Sequence, residues 1–388
     1  MQCVSKFGNT LFYFTEVFMK KKLLFAAGAS LFAALVPLTA CNFWGGSENK
    51  KPSGKHEHTF SETWQYNETE HWHESTCGHD VTDGKNQHDF DNGNCNVCGY
   101  LLPPEEKELT IDKLHFIWNT ELYGYTVSAN KAKINSVTEI EIPASVNRYP
   151  VKGIDDLAFA KCNELTTVTI PDSVTDIGDA AFAYCKNLKS ITVPDSVTKF
   201  GEAVFGYCES LTNVTIPNNL KTISYAMFAY CYRLTSIKIP YGVTSIQGGA
   251  FGFCKNLTNI TIPDSVTEIE SGVFMGCSGL TSIALPDSVT YIGNDAFFEC
   301  SRLSSIIIPH GVSSIESDTF TNCNELISIS IPVSVNRIHE SAFAACKNLS
   351  EIYFNGTIAQ WNAIEKANEW DRDIRTYTVY CTDGQINK

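Results

Sequence analysis

The chain has 388 residues, a hydrophobic content of 43% and a formal net charge of −14. Its length allows two or three ordinary domains, and the apolar content is sufficient for buried cores. The negative charge argues against a nucleic-acid-binding protein, which needs a basic surface to meet phosphate. After residue 40, no uninterrupted apolar stretch approaches the length that crosses a bilayer.

Residues 19 to 40 have the layout of a secretory signal peptide, with three lysines, an apolar core and small residues before Cys41. The stretch LTAC at residues 38 to 41 resembles the lipobox of bacterial lipoproteins. That resemblance implies that Cys41 is lipidated and anchors the protein in a membrane leaflet. An ordinary cleaved signal followed by a chance cysteine is the alternative.

The segments on either side of the signal carry no chemistry of their own. Residues 1 to 18 are interpreted as a mis-assigned start, because the signal layout begins at Met19. Residues 41 to 55 are interpreted as a short tether that separates the anchor from the first folded segment.

Residues 56 to 100 are rich in histidine and cysteine, and a segment this small needs a metal or a disulfide to fold. Cys95 and Cys98 form a C-x₂-C-G turn of the kind that zinc knuckles use, and Cys77 precedes them at a plausible ribbon spacing. Three cysteines need one nitrogen ligand to complete a tetrahedron. The best candidates for that ligand are His73 and His88.

This Cys/His segment resembles a short zinc-ribbon-like module that precedes solenoids in other bacterial lipoproteins, which implies a structural Zn²⁺. Glu74 stands where a C-x-x-C partner of Cys77 is expected, so the fourth ligand is not assigned. A disulfide between Cys95 and Cys98 and a catalytic or metal-scavenging site are the alternatives. Catalysis is disfavoured because the segment contains no H-E-x-x-H motif and is too short for a substrate cleft.

From residue 165 to residue 349 the sequence repeats every 23 residues, with the pattern L-x-x-V/I-x-I-P-D-S-V-T-x-I-x-x-x-A-F-x-x-C-x-x. This period and its leucine positions are the signature of a leucine-rich solenoid. The alternating segment before proline predicts a short parallel strand. The segment A-F-x-x-C-x-x-L predicts a short helical turn, because its apolar residues are spaced three apart. Stacked coils then share one continuous core.

The nine repeat cysteines, from Cys162 to Cys346, are expected to be buried and unpaired thiols that act as small hydrophobic residues. Stacked equivalents point in roughly parallel directions, which is poor geometry for a disulfide. A chain of disulfides is the alternative, because an exported protein permits them.

Motifs such as SITVPDSVTKFGEAVFGYC and IPDSVTEIESGVFMGCSGL resemble the BspA-like, Treponema-type leucine-rich repeats of bacterial surface antigens. The resemblance includes an N-terminal cap and irregular first coil at residues 109 to 164 and a C-terminal cap at residues 350 to 388. Residues 101 to 108 are a linker. The resemblance implies a surface-exposed adhesin, at the cell surface or outer membrane, that binds host matrix proteins, host cells or other bacteria.

Two surfaces of the predicted solenoid are candidates for partner binding. The outward strand positions form a flat ladder of small, nearly uncharged side chains. The residue before the repeat cysteine is aromatic in four successive coils, at Tyr184, Tyr207, Tyr230 and Phe253, with Tyr232 beside it. Exposed stacked aromatic residues are typical binding anchors. Alternatively, these rings shield the coil edges by packing on each other.

The sequence therefore predicts a non-enzymatic, lipid-anchored surface protein that recognises other proteins and does not bind nucleic acid. The solenoid offers no nucleophile with a base, no paired carboxylate site and no phosphate-binding loop. Two other functions are kept as hypotheses. One is zinc capture by the Cys/His segment with the solenoid as a spacer, and the other is non-catalytic docking of a secreted enzyme.

Overall fold

The computed structural model of the protein describes residue 104 and residues 106 to 388, together with the backbone of five short strands between residues 65 and 95. The chain divides into a unit that comprises Lys107–Lys388 and a smaller unit, Gly28–Glu106. In the smaller unit, three strands pair antiparallel and two form a hairpin. These strands are Gln65–Tyr66, Glu70–Glu74 and Thr82–Gln87, then Phe90–Asp91 and Asn94–Cys95.

The larger unit begins with a cap that covers the core at the N-terminal end of the solenoid. Strands Glu108–Ile111, Leu114–Asn119 and Gly124–Ala129 pair antiparallel, and Gly124–Ala129 then pairs parallel with Tyr149–Ile154. Ser145–Val146 forms a short antiparallel pair with Tyr149–Ile154, and a 3₁₀ helix spans Ile134–Ser136. Trp118, Tyr125 and Tyr149 pack edge to face inside this cap. Such an atypical terminal coil shields the end of a solenoid from water.

The first strands of the coils form three sheets along one side of the solenoid, with four, two and five strands, which together we call sheet A. Equivalent residues pair at the repeat distance, so that Thr167 lies beside Ser190 and Ser190 beside Asn213. The central side chain of each strand points into the core while its neighbours face outward. The strands of sheet A are Glu139–Glu141, Thr167–Thr169, Ser190–Thr192, Asn213–Thr215, Ser236–Lys238, Asn259–Thr261, Ser305–Ile307, Ser328–Ile331, Glu351–Phe354 and Thr378–Cys381, the last pairing antiparallel with Gly384–Asn387.

The second strand of each coil is short and contributes to a further set of three parallel-paired sheets, which together we call sheet B. Its first two members continue the sheet of the N-terminal cap. An α-helix, Ile358–Ala363, lies in the C-terminal cap and begins with a capping box between Thr357 and Gln360. The strands of sheet B are Asp176–Ile177, Lys199–Phe200, Thr222–Ile223, Ser245–Ile246, Glu268–Ile269, Tyr291–Ile292, Ser314–Ile315, Arg337–Ile338 and Glu365–Lys366.

The remaining side of each coil differs from the short helical turns that the spacing predicts. It is a run of consecutive turns in which two residues per coil have left-handed backbone, for example Ala180 with φ 53° and Tyr184 with φ 60°. Their N–H groups donate to Glu202 and Gly206 of the next coil, each at 2.8 Å. A helix would direct these N–H groups along its own axis. The left-handed residues instead allow every second backbone hydrogen bond to join two coils.

The core confirms the packing that the repeat predicts. All nine repeat phenylalanines, from Phe159 to Phe343, are fully buried, and consecutive rings stack with centroids 5.3 to 5.8 Å apart. The nine repeat cysteines are buried free thiols, as predicted. From Cys185 onward, each Sγ donates to the phenylalanine carbonyl of the coil before it, at 3.0 to 3.3 Å. Within the described part of the chain, no helix has the length and hydropathy needed to cross a bilayer.

Removing one ring from this stack should destabilise the solenoid strongly. Phe251 is fully buried between Phe228 and Phe274. We expect Phe251→Ala to lower the free energy of unfolding by about 3–5 kcal/mol, because the cavity cannot be refilled by neighbouring coils. The measurement is the urea unfolding midpoint. Tyr241, which is 79% exposed, provides the control, since Tyr241→Ala should change stability by less than about 0.5 kcal/mol. Equal effects of the two substitutions would contradict the packing.

Candidate functional site

The four aromatic residues that precede the repeat cysteines form one continuous stack, which we call the aromatic ladder. Tyr184, Tyr207, Tyr230 and Phe253 follow each other with ring centroids 4.4, 4.2 and 4.8 Å apart and nearly parallel planes. All four have left-handed backbone, with φ between 59° and 63°. The turn geometry therefore projects one ring from each coil in the same direction, and the coil spacing brings the rings into contact.

Stacking buries most of the ring surface in the aromatic ladder. Tyr207 and Tyr230 are only 7% and 6% exposed, whereas Tyr184, Tyr232 and Phe253 are partly buried. Tyr232 meets Tyr230 edge to face at 6.1 Å. Beneath the rings lies a platform of alanines, Ala180, Ala183, Ala203, Ala226 and Ala229. A partner can therefore reach the two end rings, Tyr232 and the ring edges, while the central rings support their neighbours.

The aromatic ladder ends at a glycine that makes room for its last ring. A Cβ atom on Gly276 would lie 2.5 Å from Cδ1 of Phe253, and Gly276 itself has φ 69°. Any side chain at this position would displace the Phe253 ring. The ladder is thus limited to four coils by the residue that follows it.

Beyond Gly276 the same side of the solenoid becomes acidic. Asp295 is buried, and its Oδ1 has no hydrogen-bond donor among the described residues. Burial, together with the nearby carboxylate of Asp318, raises the pKa of Asp295 to about 7. Burial also raises the pKa of Asp318 and of Glu299. Protonation of Asp295 near neutral pH therefore relieves an unfavourable buried charge.

The outward face of sheet A carries the ladder of small side chains that the sequence predicts, but its C-terminal end is apolar. Ile307, Tyr353 and Tyr380 are 70%, 42% and 37% exposed, and we call these three residues the apolar end. They lie in register on the same line of sheet A, with Ser330 between the first two. The rings of Tyr353 and Tyr380 stack at 5.2 Å, and the Tyr353 hydroxyl donates to Glu351 Oε2 at 2.8 Å.

Ile307 occupies one of the outward strand positions that the 23-residue repeat predicts, whereas the sequence analysis missed the two tyrosines. They belong to the C-terminal cap, where the 23-residue spacing is lost. The period-2 alternation of the strands Glu351–Phe354 and Thr378–Cys381 would have revealed them, because it directs Tyr353 and Tyr380 to the side opposite the buried Ile352 and Val379.

The predicted zinc ligands and the lipidated cysteine cannot be placed in the same way. Cys41, Cys77, His88 and Cys98 lie outside the described residues. His73 and Cys95 lie in strands Glu70–Glu74 and Asn94–Cys95, of which the backbone alone is described. Among the residues whose side chains are described, no group of three or more His, Cys, Asp or Glu is arranged to hold a metal. The structural Zn²⁺ therefore stays a prediction from the sequence.

A family model of leucine-rich repeats matches the coils of this chain. Residues 128 to 258 and 244 to 365 match the family model of the BspA type leucine rich repeat region, in six copies. A leucine rich cell surface protein from Faecalibacterium prausnitzii is 28% identical, over 68% of this chain and 98% of that chain, with a TM-score of 0.32. A search of curated proteins finds no match.

Two further solved structures are similar at lower identity. A leucine rich repeat protein of T. pallidum is 22% identical over 63% of this chain and 91% of that chain, with a TM-score of 0.35. The pneumococcal vaccine antigen PcpA is 15% identical over 71% of this chain and 87% of that chain, with a TM-score of 0.42.

The zinc prediction is tested by metal content. We expect about one tightly held Zn²⁺ per chain, because three cysteines and one histidine complete a closed tetrahedral site. A Cys95→Ser/Cys98→Ser variant should lose that metal in elemental analysis. Cys381→Ser is the matched control, since Cys381 is a free cysteine of the C-terminal cap. Metal-free chains, or full retention of zinc in the double variant, would contradict the prediction.

The buried carboxylate predicts a pH dependence of stability. The folded-state pKa of Asp295 is about 7 and its ordinary value is 3.8, so the folded chain takes up a proton that the unfolded chain does not. The contribution of Asp295 to the free energy of unfolding should therefore increase as pH falls from about 8 to about 5. Asp295→Asn should be more stable than the wild type near pH 8, and this difference should shrink near pH 5. Urea unfolding at both pH values measures this stability difference. The control is Asp264→Asn, which replaces an exposed aspartate. A stability difference that does not change with pH would contradict the raised pKa of Asp295.

Proposed function

Because the chain belongs to the BspA-type leucine-rich repeat family, we propose that it recognises other proteins through the outward face of sheet A. Recognition is centred on the apolar end, which comprises Ile307, Tyr353 and Tyr380. The observation that carries the proposal is the exposure of these three apolar side chains, in register, on a rigid sheet. Rigid aromatic anchors are the residues that dominate the energy of protein interfaces.

Burial of the apolar end by a partner would stabilise the complex. Covering one large apolar side chain contributes about 1.5–3 kcal/mol. The Tyr353 ring is already held by Tyr380 and by its hydrogen bond to Glu351, so little side-chain freedom is lost on binding. Anchors that are ordered before binding convert more of their buried surface into affinity.

The rest of sheet A provides an accommodating surface for the same partner. Its outward side chains are mostly Ser, Thr and Asn, with little charge. Small hydroxyl and amide groups allow close approach and offer hydrogen bonds at the polar rim that surrounds an apolar interface centre. A flat partner surface can therefore extend from the apolar end along several coils.

The accessible part of the aromatic ladder forms the second surface of the proposal. Tyr184 and Phe253 close its two ends, and Tyr232 lies beside it with Lys255 Nζ 5.2 Å from its ring centroid. Tyr207 and Tyr230 act there as supports. Their substitution should weaken binding through the loss of packing as well as through lost contact.

The proposal places the protein at the bacterial surface, exported and held by a lipid on Cys41. The signal layout, the lipobox resemblance and the family membership support this location. The partners are extracellular matrix proteins, host-cell surface proteins or the surfaces of other bacteria. The protein acts by binding and not by catalysis.

The apolar end is tested by a triple substitution. Ile307→Ser/Tyr353→Ser/Tyr380→Ser should weaken saturable binding of soluble residues 42 to 388 to matrix proteins or cells by at least about tenfold. The matched control is Ile111→Ser/Tyr241→Ser/Tyr291→Ser, which removes the same residue types from exposed positions outside the apolar end. Its binding should equal that of the wild type.

Other results would redirect or reject the proposal. Binding that survives the apolar-end variant but is lost in Tyr184→Ser/Phe253→Ser assigns recognition to the aromatic ladder. Binding that requires residues 56 to 100 and zinc assigns it to the Cys/His segment. Absence of binding to every matrix protein and cell surface tested rejects adhesion.

A further inference from the structure

A cleft of about 610 Å³ lies on the outward side of sheet B, next to the N-terminal cap. One wall is the turn that follows strand Leu114–Asn119. Asn119 Oδ1 accepts the N–H groups of Glu121 and Leu122 at 2.9 and 3.0 Å, which holds this turn in shape. The opposite wall is formed by Lys199 and Phe200. The cleft is therefore built by regular elements of the solenoid and its cap.

The cleft exists because side chains are missing at one position of the first coils. Gly178 and Gly201, which line it, directly follow the strands of sheet B. The equivalent position in the next three coils carries residues that have side chains. These residues are Ser224, Gln247 and Glu270.

A change in backbone capping accounts for these glycines. In two of these coils the side chain at this position caps the preceding coil, as Gln247 Oε1 does by accepting Tyr225 N–H at 3.1 Å. In the first coils Asp156 Oδ1 instead accepts the N–H of Asp179 at 2.7 Å. A Cβ atom on Gly178 would lie 2.5 Å from both the Asp156 backbone nitrogen and its Oδ1. The close approach of Asp156 thus excludes a side chain at Gly178, and the open space follows from it.

The residues that line the cleft carry an excess of negative charge. Its lining contains four carboxylates, Glu121, Asp155, Asp156 and Asp176, and one lysine. Lys199 Nζ lies 3.3 Å from Asp176 Oδ1, so the lysine offsets that carboxylate. For the charges of Glu121 and Asp155, the lining contains no further cation.

Asp155 is the carboxylate that gains most from a bound cation. Burial raises its pKa, and the neighbouring charge of Asp156 raises it further, while a hydrogen bond with Thr126 and the nearby His115 lower it. Its negative charge is therefore incompletely compensated by the protein. A cationic group seated in the cleft would stabilise that charge.

Apolar side chains accompany the carboxylates. Leu122 and Phe200 are half-buried in the walls, and Ile154 and Ile177 lie beneath. The volume falls within the range of about 300–1,000 Å³ that small-ligand sites occupy. A cleft that combines apolar walls with carboxylates matches a cation carried on an alkyl stem, which is the chemistry of arginine and lysine side chains.

We propose that this cleft binds the guanidinium or ammonium group of a basic side chain presented by a protein partner. The inference deepens the proposed recognition function and rests on it for the source of that side chain. Asp155 and Glu121 provide the anionic contacts, with Asp155 paired to the cation inside the cleft and Glu121 at its rim. Leu122 and Phe200 contact the alkyl stem.

The test uses the purified full chain and a short peptide, acetyl-Gly-Arg-Gly-amide, in calorimetric titration. The matched ligand contains citrulline, a neutral isostere, in place of arginine. The matched protein variants are Glu121→Gln/Asp155→Asn, which removes the two carboxylates assigned to the cation, and Glu164→Gln/Asp264→Asn, which removes two exposed carboxylates elsewhere. Both variants change the net charge equally.

We expect the arginine peptide to bind saturably and the citrulline peptide at least about tenfold more weakly. The cleft variant should lose at least about tenfold in affinity for the arginine peptide, and the control variant should not. Equal binding of the two peptides, equal binding by both variants, or no binding by the wild type would overturn the proposal. If propylguanidine, a free small cation, binds as tightly as the peptide, the assignment of the ligand to a protein side chain is rejected.

This test is independent of adhesion through sheet A. The Ile307→Ser/Tyr353→Ser/Tyr380→Ser variant should bind the arginine peptide like the wild type, because its substitutions lie outside the cleft lining. Peptide binding without adhesion rejects the proposed function alone. Adhesion without peptide binding rejects the cleft alone.

Discussion

The contact on which the solenoid depends is the stacking of one buried phenylalanine on the phenylalanine of the next coil. Nine rings repeat this contact at 5.3 to 5.8 Å, and from Cys185 onward the cysteine that follows each ring donates its thiol to a phenylalanine carbonyl one coil earlier. The side-chain stack and the backbone hydrogen bonds therefore impose the same repeat. A coil cannot bury its own apolar side, so the stability of each coil comes from its neighbours.

This constraint separates the residues that build the coil from those free to serve function. The inward positions of each coil are fixed by packing, and the two left-handed positions fix the backbone but not the side chain, whereas the outward positions need only tolerate water. Side chains at the left-handed and outward positions differ along the solenoid, from the aromatic ladder through the buried carboxylate of Asp295 to the apolar end. Gly276 marks the change from rings to acids, because it accommodates the Phe253 ring and admits no side chain of its own.

The periodic features could be predicted from the sequence because each residue is repeated in the same environment. Phe251 and Cys254 are identified by their spacing alone, and the structure confirms both their burial and the free thiol. The third side of each coil, predicted as a short helical turn, is a run of consecutive turns with two left-handed residues. Consecutive turns also place apolar residues three apart, and the left-handed backbone of residues such as Tyr184 is invisible in the spacing.

The features that decide recognition were harder to predict because they depend on where the repeat is interrupted. Tyr353 and Tyr380 occupy the cap, and the cleft arises from glycines and a hairpin turn that meet only in the folded chain. Hydroxyl-radical footprinting with a bound partner tests the central claim most directly. The account predicts protection of Ile307, Tyr353 and Tyr380 with unchanged reactivity at Tyr241 and Tyr291. Protection elsewhere with an unprotected apolar end would contradict it.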